Sequence, residues 1–292
     1  MSLSVKMKKL KDYGIPSYIV NIWEKHYSRY LLPLQEEAVK KYGVLDTEEG
    51  MTGLPPSCLV FYREQKRKTA LSGRDKNLLV IAPTCSGKTL IGEMTFIKKA
   101  LHLQKTIYLT PSRTLAHEKY HHFKKLYSDC GMNFVISTRD RCETDHLIIS
   151  GDYNTVVMTY EKFHYFCLQF PHFLDINSLV IIDEIQLIHD IKWGPLLEEM
   201  INCINRKNKN IQIIALSDYI EEKVNLLRWF PARLLFSVQR PVTLRKGIVR
   251  KGVFKFIASE KEKNCQKEIF FNPEAVRDNC FEDYLLLSLI HI

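Results

Sequence analysis

The chain has 292 residues, 46% of them hydrophobic and 26% charged, which excludes a collagen-like or low-complexity chain and fits one large or two modest domains with a real core. A net charge of +9 and a pI near 9.0 favour polyanionic partners. No apolar run approaches the ~20 residues that a membrane-spanning helix requires, so no membrane partner is expected.

Residues 1–76 form a lead that opens on the basic "KMKKLK" and carries Gln35 in "LLPLQEEAV". Within it, 46–76 mixes Gly, Pro and charge and is expected to be an inserted surface excursion. The N-terminus has lysines but no apolar segment behind them, unlike a secretory signal. The eight cysteines are scattered without a Cys-x-x-Cys pair, as expected of reduced thiols in the cytoplasm, or in the nucleoid or nucleus of a eukaryotic host.

From residue 77 short apolar, β-branched runs alternate with stretches of helical period. The strand candidates are 77–82, 106–110, 133–137, 154–158, 178–183 and 211–216; the helix candidates are 88–102, 112–128, 160–168, 194–205 and 221–230. Runs that are apolar at nearly every position fit strands covered on both faces. The alternation predicts an α/β domain over 77–240, a doubly wound, mostly parallel sheet with helices on both faces. Ligands of such sheets bind beyond the carboxyl ends of the strands. Residues 241–286 are expected to be a linker or the start of a truncated following domain. The final "LSLIHI" (287–292) stops within an apolar run and looks like a translated transposase-derived sequencing adapter, so a non-native tail and a longer gene are expected.

Two stretches carry chemistry. In "VIAPTCSGKTLIGE" a buried strand breaks into small residues and resumes at once as a helix. An ordinary strand-to-helix turn would look similar, but a phosphate cradle needs this order: converging backbone N–H groups, then a helix N-terminus. Thr84, Cys85, Ser86 and Gly87 would form the loop, Lys88 would reach the β- and γ-phosphates, and Thr89 would hold Mg²⁺ through its hydroxyl. Ala82 stands where Gly-x-x-x-x-Gly-Lys-Ser/Thr has its first glycine. In "SLVIIDEIQLIHD" a second apolar strand ends in Asp183-Glu184. There Asp183 would bind the metal and Glu184 would act as general base toward an attacking water.

These residues resemble the DExD/H-box helicases of superfamily two, over about residues 30–255. The resemblance implies the N-terminal RecA-like, P-loop NTPase motor domain of the subgroup containing DNA-repair and exosome-associated helicases. "APTCSGKT" resembles motif I, "YLTPSRTLAHEKY" motif Ia, "TYEKF" motif Ib, "DEIQ" motif II and "ALSDYI" motif III, while "RPVTLRKGIV" is similar to the segment leaving the first motor domain. It implies ATP and Mg²⁺ as cofactors, Gln35 as the adenine reader and Ser217 as a coupling residue. It implies that Pro111, Ser112, Arg113 and Thr159 bind the phosphates of single-stranded or partly duplex DNA or RNA without reading sequence. Gln186 departs from the usual Asp or His, and Asp218 and Tyr219 depart from Ser-Ala-Thr, which puts coupling in question. A second motor domain and its arginine finger are not expected within these 292 residues, and the lack of such a finger is worth about 10³-fold in rate or more. The fragment alone is therefore expected to be nearly inactive.

Three other readings compete. "HEKYH" (117–121) matches the zinc-protease signature, with His117 and His121 as ligands and Glu118 as base, but a third ligand is needed and Glu143 in "RCETDH" lies outside the expected spacing. The apolar stripe of Ala116, Tyr120, Phe123 and Tyr127 sets those histidines beside a buried face, away from any cleft. The second is a module that clamps nucleic acid or a partner without hydrolysis, and the third is the motor domain of a restriction or remodelling translocase, which shares motifs I and II but which "RPVTLRKGIV" disfavours.

Overall fold

The computed structural model describes residues 5–46, 76–170, 172–208, 210–220, 223–240, 244–250, 253–257, 266–269 and 285–290. The chain divides into a unit over Met1–Val238 and a unit over Gln239–Ile292. The excursion expected over 46–76 lies almost wholly outside the described residues.

Seven strands build the first unit's sheet: β1 (Leu78–Ile81), β2 (Lys105–Thr110), β3 (Phe134–Ser137), β4 (Thr155–Thr159), β5 (Asn177–Ile182), β6 (Gln212–Ser217) and β7 (Arg233–Phe236). Their order is β3-β4-β2-β5-β6-β1-β7, and every neighbouring pair is parallel. The expected α/β class and six of these strands stand as the periodicity predicts. The seventh is an edge strand whose residues are mostly only part-buried, so it lacks the unbroken apolar signature of the others.

Among the described residues eight helices connect and cover the strands: α1 (Ser17–His26), α2 (Pro33–Lys40), α3 (Lys88–Leu101), α4 (Arg113–Tyr127), α5 (Asp145–Ser150), α6 (Tyr160–Gln169), α7 (Gly194–Lys207) and α8 (Lys223–Trp229). Alternate strand residues point to opposite faces, so each strand feeds two cores. Leu78, Val80, Tyr108, Ile181 and Leu216 pack on one face with Trp23 of α1, Ile91 of α3 and Phe123 of α4. Leu79, Ile81, Leu109, Ile182 and Ala215 pack on the other with Phe163 of α6, Ile201 of α7 and Leu226 of α8. The lead thus contributes core: Ile19, Val20 and Trp23 are fully buried.

The second unit has β8 (Leu244–Arg250), β9 (Val253–Ile257), β10 (Gln266–Ile269) and β11 (Leu285–Ile290), paired antiparallel in the order β10-β9-β8-β11.

A polar cluster interrupts the first core. Glu93 of α3 is fully buried. It accepts from Tyr27 Oη at 2.6 Å and, through its other oxygen, from Tyr127 Oη; Trp23 Nε1 in turn donates to Tyr127 Oη at 2.6 Å. His122 lies 3.6 Å from the carboxylate. Burial and then the Glu93 charge push both tyrosines far above their ordinary range, which keeps them donors. The cluster ties α1, α3 and α4 together through one carboxylate. Replacing Tyr127 by Phe leaves a buried carboxylate oxygen and an indole N–H unpaired, and should cost about 2–4 kcal/mol. Urea unfolding read by tryptophan fluorescence measures it, and an unmoved midpoint would show that Glu93 finds other donors.

Candidate functional site

The carboxyl ends of β1, β5 and β6 meet over the start of α3. The turn between β1 and α3 is held open by two left-handed residues, Cys85 at φ 65° and Gly87 at φ 84°. Gly87 serves as the N-cap of α3, and a Cβ added there would fall on the Gln35 amide. Gln35, buried in α2, donates to Gly87 O at 3.2 Å and accepts from Leu32 N at 2.9 Å. Its side chain therefore spans the end of the turn and the cap of its own helix.

Lys88 turns back under the loop. Its side chain is 12% exposed, and Nζ donates to Ala82 O at 2.6 Å, to Pro83 O at 3.1 Å and to Asp218 Oδ1. Ala82 sits at the strand end, its N–H on Ser217 O at 3.1 Å and its carbonyl on Lys88, and it is fully buried. A phosphate suits this loop: besides the lysine, the buried Ser86 Oγ has no hydrogen-bond partner among the described residues.

The second carboxylate group faces it. Asp183 follows β5 and accepts from Tyr108 Oη at 2.8 Å. Its carbonyl accepts from Tyr160 Oη, and its Oδ1 from Glu184 N at 3.2 Å. Those bonds hold Glu184 in the left-handed region at φ 60°, a conformation that costs an L-residue about 1–2 kcal/mol. This kink is followed by a 3₁₀ turn over Ile185–His189. Burial, then Asp183, raises the Glu184 carboxyl above its ordinary range, and Asp218 and Lys88 also act on it, with opposite signs. Gln186 Nε2 donates to Glu184 Oε2, while its Oε1 has no partner among the described residues.

Lys119 of α4 joins the two halves. Its Nζ lies 3.4 Å from Thr89 Oγ1 and 3.9 Å from Asp183 Oδ2. A positive charge thus already stands beside the hydroxyl and carboxylate expected to hold a metal, so a small oxygen-seeking cation suits the same donors. Lys119 escaped the sequence reading, which weighed its pentapeptide only for His and Glu. Asp218 and Thr84 are likewise drawn in, with Thr84 Oγ1 donating to Asp218 Oδ2 at 2.9 Å. Ser217 Oγ donates to Tyr219 O at 3.3 Å and reaches no charged group of the site.

Pro111, Ser112, Arg113 and Thr159 gather on an adjoining edge. They follow β2 and end β4, neighbours whose last paired residues are Thr110 and Thr159. Ser112 caps α4 by accepting from Leu115 N at 3.3 Å. Arg113 pairs with Asp140, in a turn closed by reciprocal backbone bonds between Thr138 and Arg141. Arg139 is exposed and Arg141 half-buried in that turn; they too were missed, because isolated arginines in a loop carry no periodicity. His117 and His121 stack at 6.3 Å on α4, and burial and Arg141 lower the His117 pKa. Among the described residues no group of three or more His, Cys, Asp and Glu side chains could hold a metal, so the pentapeptide finds no third ligand there.

The DEAD/DEAH box helicase family model matches residues 62–224. The ATP-dependent DNA helicase Hel308 of Methanocaldococcus jannaschii is 33% identical over 230 residues, covering 77% of this chain and 18% of the relative. Hel308 of Methanocella arvoryzae is 36% identical over 189 residues, covering 63% of this chain and 25% of the relative. The chain therefore spans about a quarter or less of these relatives. Among solved structures, the DEAD-box helicase Mss116 bound to ssRNA and UDP-BeF aligns with a TM-score of 0.61 at 17% identity, covering 80% of this chain and 45% of that one, a likeness of fold.

Gly87→Ala should both strain the loop and push Gln35 from its bond to the turn. A loss of about 1–3 kcal/mol is expected on urea unfolding. Wild-type stability would show that the loop can accommodate a Cβ.

Proposed function

Because the chain belongs to the DEAD/DEAH box helicase family, we propose that it is the first, ATP-binding motor domain of a nucleic-acid helicase or translocase. One observation supports this most: Lys119 reaches both Thr89, beside the lysine-bearing loop, and Asp183, so the two motifs stand on either side of one ammonium group.

In this reading the loop N–H groups and Lys88 bind the β- and γ-phosphates, and Ser86 Oγ gains the partner it lacks. Thr89 and Asp183 would hold Mg²⁺, which when bound would offset charge on the phosphate oxygens. Glu184, oriented by Gln186 and by its bond to Asp183, takes the proton of an attacking water. Gln35, on the Gly87 carbonyl, lies where a base could be read beside the loop. Pro111, Ser112, Arg113 and Thr159, joined by Arg139 and Arg141, contact the phosphate backbone of a strand without reading its sequence. DNA is the proposed substrate, since the Hel308 relatives are named as DNA helicases. In the proposed whole enzyme a second motor domain completes the site.

Lys88→Ala should abolish binding of a fluorescent ATP analogue to this chain; unchanged affinity would refute the phosphate-loop assignment. In a longer protein with a second motor domain, Glu184→Gln should keep ATP bound and slow hydrolysis by about 10²–10⁴-fold. Persistent turnover there would mean that another group is the base. Arg113→Ala should weaken single-stranded DNA binding at all sequences and reduce the salt slope by about 1, as anisotropy titrations at several salt concentrations would read.

A further inference from the structure

We propose that Asp218 is an internal occupant of the phosphate cradle: its carboxylate holds Lys88 until a nucleotide phosphate displaces it, and so sets how tightly the cradle binds. The inference deepens the proposed nucleotide-binding reading and rests on it.

An ammonium group has three N–H donors. In Lys88 they go to Ala82 O, Pro83 O and Asp218 Oδ1. The two carbonyls are neutral and fixed at the end of β1, and neither can be displaced without unmaking the strand end. Asp218 is the anionic partner, and it sits just past β6, on a turn that Tyr219 leaves for solvent at 62% exposure. Its second oxygen accepts from Thr84 Oγ1 at 2.9 Å, so the carboxylate bridges the loop's first residues and its lysine. With the Lys88 side chain 12% exposed and that of Asp218 39% exposed, the acid is the member free to swing outward.

The electrostatics set the consequence. A poorly hydrated ammonium needs a counter-charge, and Asp218 supplies it. An arriving phosphate offers the same chemistry with more negative charge, so the two anions compete for one cation. The carboxylate also lies close enough to Glu184 to act on it, which adds to the negative charge that a third phosphate meets. Entry of nucleotide therefore expels Asp218, and the triphosphate feels its resistance more than the diphosphate.

The test is titration of the 292-residue chain with methylanthraniloyl-labelled ATP and ADP in Mg²⁺. The variants are Asp218→Asn, Asp218→Ala, Asp218→Glu and Lys88→Ala, each first shown to be folded by a cooperative urea transition. Asp218→Asn and Asp218→Ala should each bind the triphosphate about five- to tenfold more tightly, with a smaller gain for the diphosphate. Asp218→Glu should stay as weak as wild type. Affinity of Asp218→Asn equal to or below wild type overturns the proposal, including the case where Asp218→Ala alone tightens, which would make the effect one of volume. If the Asp218 variants match wild type while Lys88→Ala loses binding, the plug is refuted and the cradle stands. If neither wild type nor any Asp218 variant binds either nucleotide, the nucleotide reading falls and the plug with it.

Discussion

Lys88 carries a full positive charge where 12% of its side chain meets solvent, and so poorly hydrated a charge must be met by acceptors on the protein or by a ligand. Much of the site's geometry follows from that need. The end of β1 offers two carbonyls because the strand stops there, its last partner bonds made by Ala82 N to Ser217 O and by Ser237 N to Ile81 O. The chain can fold back under its own strand end because Gly87 accepts a left-handed turn. The same logic recurs across the pocket, where Lys119 meets the Asp183 carboxylate and the Thr89 hydroxyl. Two cations and three carboxylates are thus packed at the strand tips with their charges largely matched inside the protein. Removing any one leaves a partner exposed to the full desolvation cost, which is why such a cluster is poised to exchange an internal ion for an external one.

Parallel strands make that packing possible by delivering every strand's carboxyl end to one edge. β1 supplies the loop, β5 supplies Asp183 and Glu184, and β6 supplies Asp218. β2 and β4 supply the residues proposed to meet a nucleic-acid backbone. The two regions touch through short contacts at Asp183. Tyr108 of β2 donates to its carboxylate, and Tyr160, the residue after Thr159, donates to its carbonyl. Burial, reinforced by Asp183, holds both phenols protonated well above their ordinary range, so they stay donors at any physiological pH. A shift at Asp183 would be felt directly at the starts of the two segments that carry Ser112 and Thr159.

How much of this was legible in the sequence depended on whether a feature has a period or a neighbour. The buried strands announced themselves because both faces are covered and their apolar runs are unbroken. The loop at 82–89 and the acids at 183–184 were legible as local patterns at strand ends. Arg233–Phe236 was not, because a part-buried edge strand carries half the signal. Glu93 was not, because a fully buried carboxylate in the middle of α3 looks in sequence like any helix-surface acid, and its donors Tyr27 and Tyr127 are far off in the chain. "HEKYH" shows the same limit from the other side. Its spacing suits two metal ligands, but the third must come from elsewhere, and only the packing of α4 decides which side chain reaches the site. The packing favours Lys119.

The N-terminal lead shows where such a pocket has room to adapt. Gln35 of α2 holds the Gly87 carbonyl, and the Glu93 cluster holds the second turn of α3 against α1 and α4. The loop between β1 and α3 is therefore pinned just before and just after Lys88 by side-chain bonds to neighbouring helices. Asp218 has one bond to Thr84, itself exposed, and one to the lysine, with a solvent-facing tyrosine behind it. When a rigid wall and a loosely tied turn share one ion pair, the turn must move. Adaptation to an incoming anion accordingly belongs to the turn after β6, and it leaves the cradle in place.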